Sequence, residues 1–326
     1  MFYAAILPSV LAADIAASNS SNANINTFNA TAANTNAVKS GSTLYKVKIE
    51  HGQFSTRSGA KRTYTLYVPE ANSTLPGPPY PVVVLIHGFL MTGDQHKNNA
   101  QSFAERGFIA ITPDLTKVLL GDDTRMGNVR DVLDEITWLE LQSSIAGNPL
   151  YGMVDPTRVG IAGNSAGGAV CLELLLEAQK EKIPIQAMCS LDGVPWDRTW
   201  GHMTELQPVK ILSLRAEPSL CNFHARMLLY LARLKFPFDD VKINGAHHCD
   251  VENPTTLGCR CVCGRSDEKY RHIFQRLTYL YFRDVFHAPS FDPPTENFIA
   301  AVHNFQSDDK VIANLMHMQP EELASK

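Results

Sequence analysis

The stretch Arg158-Val159-Gly160-Ile161-Ala162-Gly163-Asn164-Ser165-Ala166-Gly167-Gly168 decides the fold. It starts as a short apolar strand, narrows to a turn of small residues, and opens a helix over 167–180. A G-x-S-x-G between a strand and a helix forms a nucleophile elbow, a strained turn that lifts the serine hydroxyl clear of the sheet. Glycine is required because a Cβ at those positions would strike neighbouring backbone. The bland alternative is a glycine-rich turn with an incidental serine. The flanking strand and helix weigh against it.

Working outward, the run Pro81-Val82-Val83-Val84-Leu85-Ile86 is continuously apolar, as a strand buried on both faces of a parallel sheet must be. Before it, Tyr45-Lys46-Val47-Lys48-Ile49 and Thr63-Tyr64-Thr65-Leu66-Tyr67-Val68 alternate apolar and polar. The turn signal Ser58-Gly59 between them predicts an antiparallel hairpin. After it, helices over 98–106, 128–142, 167–180, 222–235 and 267–286 interleave with strands over 108–112, 158–162, 186–191, 210–214 and 241–243. Such repeated strand–helix units predict a mostly parallel sheet with helices on both faces. This α/β unit is expected over 43–288, followed by a partly helical tail over 289–326 with amphipathic stretches near Phe298 and Val311.

A serine hydroxyl is a weak nucleophile and needs a base. Asn244-Gly245-Ala246-His247-His248-Cys249-Asp250 follows the last predicted strand and supplies two histidines. A Gly-Ala-x-His pattern selects His248 and leaves His247 as an ordinary surface imidazole. Two carboxylates follow strands at the correct edge of the sheet: Asp192 in Leu191-Asp192-Gly193, and Glu217 in Arg215-Ala216-Glu217-Pro218-Ser219. Asp192 is the first choice and Glu217 the reserve. The acid's task is to orient His248 and stabilise its imidazolium. His87-Gly88-Phe89-Leu90 follows the buried strand, so the N–H groups of Phe89 and Ala166 are expected to form the oxyanion hole. His87 reads as a loop-holding residue, and Asp114 as a loop-capping carboxylate.

These residues resemble the α/β-hydrolase superfamily, over roughly 43–288. The nearer resemblance is to chlorophyllases, platelet-activating-factor acetylhydrolases and cutinase-like lipases. Leu191-Asp192-Gly193-Val194-Pro195 is similar to the acid segment of the first two groups. Chlorophyllases carry Gly-His-Ser-x-Gly-Gly at the elbow, whereas this chain has Asn164 in place of the histidine. The resemblance implies a serine esterase acting on a small-molecule or lipid ester through an acyl-enzyme, with no metal or organic cofactor. One alternative is a chlorophyllase-like hydrolase of a pigment phytyl ester. Another, of a different class, is a hydrolase-fold protein that only binds.

The rest of the chain bounds these readings. With 326 residues, a net charge of −4 and no cluster of Lys and Arg, it lacks the basic patch that nucleic acid demands. No apolar run reaches the ~18 residues of a membrane-spanning helix. Residues 2–17 resemble the apolar part of a secretory signal, although Pro8 and Asp14 interrupt them and no basic residue precedes them. A disordered leader is the competing reading. Residues 18–42 are Asn, Ser, Ala and Thr, a composition expected to stay disordered.

Cys249, Cys259, Cys261 and Cys263 crowd into fifteen residues, while Cys171, Cys189 and Cys221 are scattered. The C-x-C-x-C run lacks the spacing of zinc sites, so one or two disulfides among Cys221, Cys249 and this run are expected. If that run were extended, Cys259 and Cys261 would share one side. Export to a secreted or lumenal compartment follows, with plastid or cytoplasm as alternatives. Asn19, Asn29 and Asn72 then begin usable glycosylation sequons.

Overall fold

A computed structural model describes residues 44–71, 73–116, 122–289 and 296–315. The apolar leader, the 18–42 segment and the three sequon asparagines lie outside the described residues. Among the described residues nine strands make one sheet: β1 (Val47–Ser55), β2 (Lys61–Pro69), β3 (Tyr80–Ile86), β4 (Ile109–Pro113), β5 (Val154–Asn164), β6 (Ala187–Leu191), β7 (Lys210–Arg215), β8 (Asp239–Ile243) and β9 (Val311–Asn314). Their order is β1-β2-β4-β3-β5-β6-β7-β8-β9. β1 and β2 form the expected hairpin, from Val47 opposite Pro69 to Ser55 opposite Lys61. β4, β3, β5, β6, β7 and β8 run parallel. This is the α/β-hydrolase fold.

Helices α1 (Lys97–Ala104), α2 (Asp122–Ser144), α3 (Ala166–Glu181), α4 (Met227–Leu231), α5 (Leu257–Cys263), α6 (Glu268–Val285) and α7 (Phe298–Ser307) complete the unit. The apolar run of β3 explains why helices cover both faces. Successive strand residues point to opposite sides, so Val82, Val84 and Ile86 enter one core with Leu133 and Leu172. Val83 and Leu85 enter the other with Phe103, Leu277 and Phe298. Each such buried aliphatic side chain contributes about 1.5–3 kcal/mol.

Residues 296–315 join the same unit, because β9 pairs antiparallel with β8 and Phe298 of α7 is fully buried. The helix expected over 222–235 is a correction. Only Met227–Leu231 is α-helical. Phe223, His224 and Ala225 all take positive φ, which no α-helix tolerates. The Asn222 side chain organises that turn by accepting from the N–H groups of Ser219 (2.8 Å) and Ala225 (3.0 Å).

Candidate active site

Parallel neighbours place all their carboxyl ends at one edge of the sheet, and side chains there converge. Reading β3, β5, β6, β7 and β8 across that edge gives the His87 loop, Ser165, Asp192, Glu217 and the His247-His248 loop in turn.

Ser165 sits between β5 and α3 with φ +53° and ψ −122°. A non-glycine residue there costs about 1–3 kcal/mol and persists only where its surroundings hold it. Its N–H donates to Leu191 O (3.2 Å), and its carbonyl accepts from Gly168 (2.9 Å) and Val194 (2.7 Å). The glycines make this turn sterically feasible. A Cβ on Gly163 would lie 2.2 Å from Gly167 O, and one on Gly167 would lie 2.4 Å from Ile86 O. A Cβ on Gly88 would fall 3.1 Å from Ser165 Cβ, so the loop after β3 lies directly against the serine. Phe89 follows in that loop, and Ala166 is the first residue of α3, where helical N–H groups have no intrahelical acceptor.

Of the two carboxylates, Asp192 is the one that meets a histidine. Its Oδ2 lies 2.6 Å from His248 Nδ1, and both side chains are almost completely buried. Oδ1 also accepts from Ala216 N–H (3.0 Å), and the Asn222 amide donates to both oxygens (3.1 and 3.2 Å). Donation from Nδ1–H to a carboxylate fixes the ring and leaves Nε2 as the basic nitrogen. Glu217 instead pairs with Lys242 Nζ (3.0 Å) and accepts from Gly245 N–H (3.0 Å). It braces the turn that leads to the histidines. The His247 side chain is half exposed, whereas its neighbour is turned inward.

His87 accepts from Leu115 N–H at Nε2 (3.0 Å) and approaches Gly88 O through Nδ1 (2.8 Å), so it ties two loops together. Asp114 accepts from Gly93 N–H (2.9 Å) and Thr63 Oγ1 (3.0 Å), as a loop-capping residue does. Trp196 and Met203 are packed into the core, while Trp200 is 40% exposed and stacks edge-on against Tyr230.

Two features near His248, and the connectivity of the expected disulfides, escape a reading of the sequence. Asn222 holds Asp192 from 30 positions away. Glu252 is buried and accepts from Thr256 N–H (3.0 Å). Burial pushes its carboxyl up to about 7, against the opposing pull of the Thr256 hydrogen bonds and the nearby His248. Two disulfides, Cys249–Cys259 and Cys221–Cys263, close around the short helix α5. Because that segment is helical and not extended, Cys259 and Cys263 share a face from which Cys261 turns away, exposed and free. Cys171 and Cys189 are free and buried, and Cys261 is free and exposed. No helix among the described residues is long and apolar enough to cross a membrane.

A family model described as chlorophyllase matches residues 34–222, which include Ser165, Asp192 and Asn222 but stop short of His248. No curated protein matches the chain by sequence. Among solved structures, a ferulic acid esterase from Streptomyces cinnamoneus is similar at 17% identity, with 85% of this chain and 98% of that chain covered and a TM-score of 0.56. A dienelactone hydrolase-like promiscuous phosphotriesterase from metagenomic libraries is similar at 16% identity, with 73% and 98% covered and a TM-score of 0.53. At these identities the two structures speak for the fold alone.

Proposed function

We propose, since the chain belongs to the chlorophyllase family and is a carboxylic ester hydrolase, that it works through Ser165, His248 and Asp192 by way of an acyl-enzyme. Ser165 Oγ attacks the ester carbonyl while His248 Nε2 takes its proton. The N–H groups of Phe89 and Ala166 receive the oxyanion, each contributing about 3 kcal/mol to the transition state. The imidazolium, stabilised by Asp192, returns the proton to the departing alcohol. Water, deprotonated by the same nitrogen, then releases the acid and restores the serine. The observation that carries this reading is the 2.6 Å contact between His248 Nδ1 and Asp192 Oδ2, with Ser165 hydrogen-bonded to Leu191 O and Val194 N–H on the turn that holds Asp192.

The test is hydrolysis of chromogenic esters of graded acyl length. The intact chain turns over at least one of them, and Ser165→Ala lowers kcat by about 10⁴-fold or more. Equal turnover by the variant refutes the assignment.

The family match also favours a pigment phytyl ester as substrate. Asn164 replaces the histidine that chlorophyllases carry before the serine, so release of phytol from a chlorophyll separates this reading from a general esterase. The paired cysteines support a route through an oxidising compartment.

A further inference from the structure

The two disulfides are adjacent to each other. The sulfurs of Cys249, Cys259 and Cys263 all lie within 4.8 Å of one another, although Cys263 is bonded to Cys221. The bridges differ in access. Cys249 and Cys259 are 0% and 6% exposed, whereas Cys221 and Cys263 are both partly exposed. A thiol from solution therefore reaches the outer bridge first.

We infer that Cys263 is an internal thiol–disulfide exchange site, through which opening of the outer Cys221–Cys263 bridge is passed to the buried Cys249–Cys259 bridge beside His248. A small dithiol supplies two electrons and two protons to Cys221–Cys263, leaving two cysteine thiols and an oxidised, cyclic dithiol. The Cys263 thiolate then attacks the neighbouring bridge. One S–S bond breaks and one forms, giving Cys263 bonded to Cys249 or Cys259 and expelling the other as thiolate, with no net electron transfer. Held within 4.8 Å, Cys263 has an effective concentration that no external thiol attains at a buried bond.

One end of this exchange adjoins the proposed triad in the chain, and the other adjoins a residue that holds it. Cys249 follows His248 in the chain, and Cys221 precedes Asn222, whose amide holds Asp192. Exchange frees Cys221 from α5 and either frees Cys249 or moves its tether from Cys259 to Cys263. The loss of turnover that follows rests on the triad reading, but the exchange itself does not.

The chain's own tryptic sites make the exchange readable. Cleavage gives one peptide with Cys221 (216–226), one with both Cys249 and Cys259 (243–260), and one with Cys261 and Cys263 (261–265). The native bridges link 216–226 to 261–265 and close 243–260 on itself. Exchange links 243–260 to 261–265, a combination of different mass. The experiment treats folded full-length Cys261→Ser protein, which lacks the exposed free thiol, with limiting dithiothreitol. Acid quenching, thiol alkylation and peptide mapping follow, with turnover measured in parallel.

Among molecules that retain one bridge, the 243–260/261–265 pair appears, and turnover falls with its abundance. Finding only an internally closed 243–260, with Cys263 alkylated, overturns the inference. Wild-type protein mapped in the same way, with fragmentation to separate Cys261 from Cys263, serves if the variant does not fold. In Cys261→Ser/Cys263→Ala the buried bridge survives the dithiol at least about tenfold longer than in Cys261→Ser, and equal lifetimes refute the relay. A chain that exchanges bridges but hydrolyses no ester refutes the esterase reading alone.

Discussion

His248 Nδ1 meets Asp192 Oδ2 at 2.6 Å across 56 positions of sequence, in a place from which both side chains are closed to solvent. The carboxylate is not free to choose another partner. Ala216 N–H and the Asn222 amide occupy its remaining acceptor sites. A buried ion supported in this way keeps its position without relaxation, which is what orienting an imidazole requires.

Asp192→Asn presents an amide to Nδ1 and favours the wrong tautomer, so kcat falls by about 10⁴-fold. Glu217→Gln removes only a partly exposed pair with Lys242, worth about 0–1 kcal/mol, and changes kcat by no more than about fivefold. Steady-state kinetics of the two variants on one ester check this. Reversal of the two effects would move the acid to Glu217.

Asn222→Ala withdraws a donor from a buried carboxylate, a loss of about 1–3 kcal/mol. The expected fall in kcat is about 10- to 100-fold, with KM little changed and the acid limb of the kcat/KM profile displaced. Unaltered kcat and an unaltered profile would make Asn222 a turn residue only.

Much of this was legible in sequence, for physical reasons. Gly163 and Gly167 announce the elbow because no other side chain fits against Gly167 O and Ile86 O. The apolar run ending at Ile86 announces a doubly covered strand because both of its faces are buried. His248 was separable from His247 by its spacing from Gly245. The choice between Asp192 and Glu217 stayed open because each follows a parallel strand, and only the reach of His248 distinguishes them. Asn222 was illegible: its position reads as helical, and its bond to Asp192 is a matter of three dimensions. The cysteine pairing was hidden likewise, since it depends on Leu257–Cys263 coiling into a helix.

Gly163→Ala and Gly167→Ala drive a methyl group into backbone, and overpacking of this kind costs about 1–3 kcal/mol or more. Gly77→Ala meets nothing within 4 Å and is expected to be near neutral. Urea midpoints of the three variants order the sites. A Gly163→Ala protein as stable as the parent would contradict the packing described for the elbow.

The Glu252 carboxyl, pushed up to about 7 by burial, binds a proton more tightly in the folded than in the unfolded chain. Its contribution is complete below the ordinary carboxyl range and is lost as pH rises towards about 7, amounting to about 3 kcal/mol. His96, which burial lowers to about 4, acts in the opposite sense and removes stability as pH falls from about 6.5. Glu252→Gln therefore gains stability relative to the parent between about pH 4.5 and 7. Parallel stability–pH curves for the two proteins would show that Glu252 ionises normally.

The most direct test of the account is covalent labelling with a fluorophosphonate, read by intact mass and peptide mapping. Native protein is expected to take up one phosphonyl group, on Ser165, with loss of ester turnover in equal measure. His248→Ala should label at least about 10³-fold more slowly, as expected for a serine deprived of its base. Undiminished ester hydrolysis by protein left unlabelled at Ser165, or by Ser165→Ala, would contradict it.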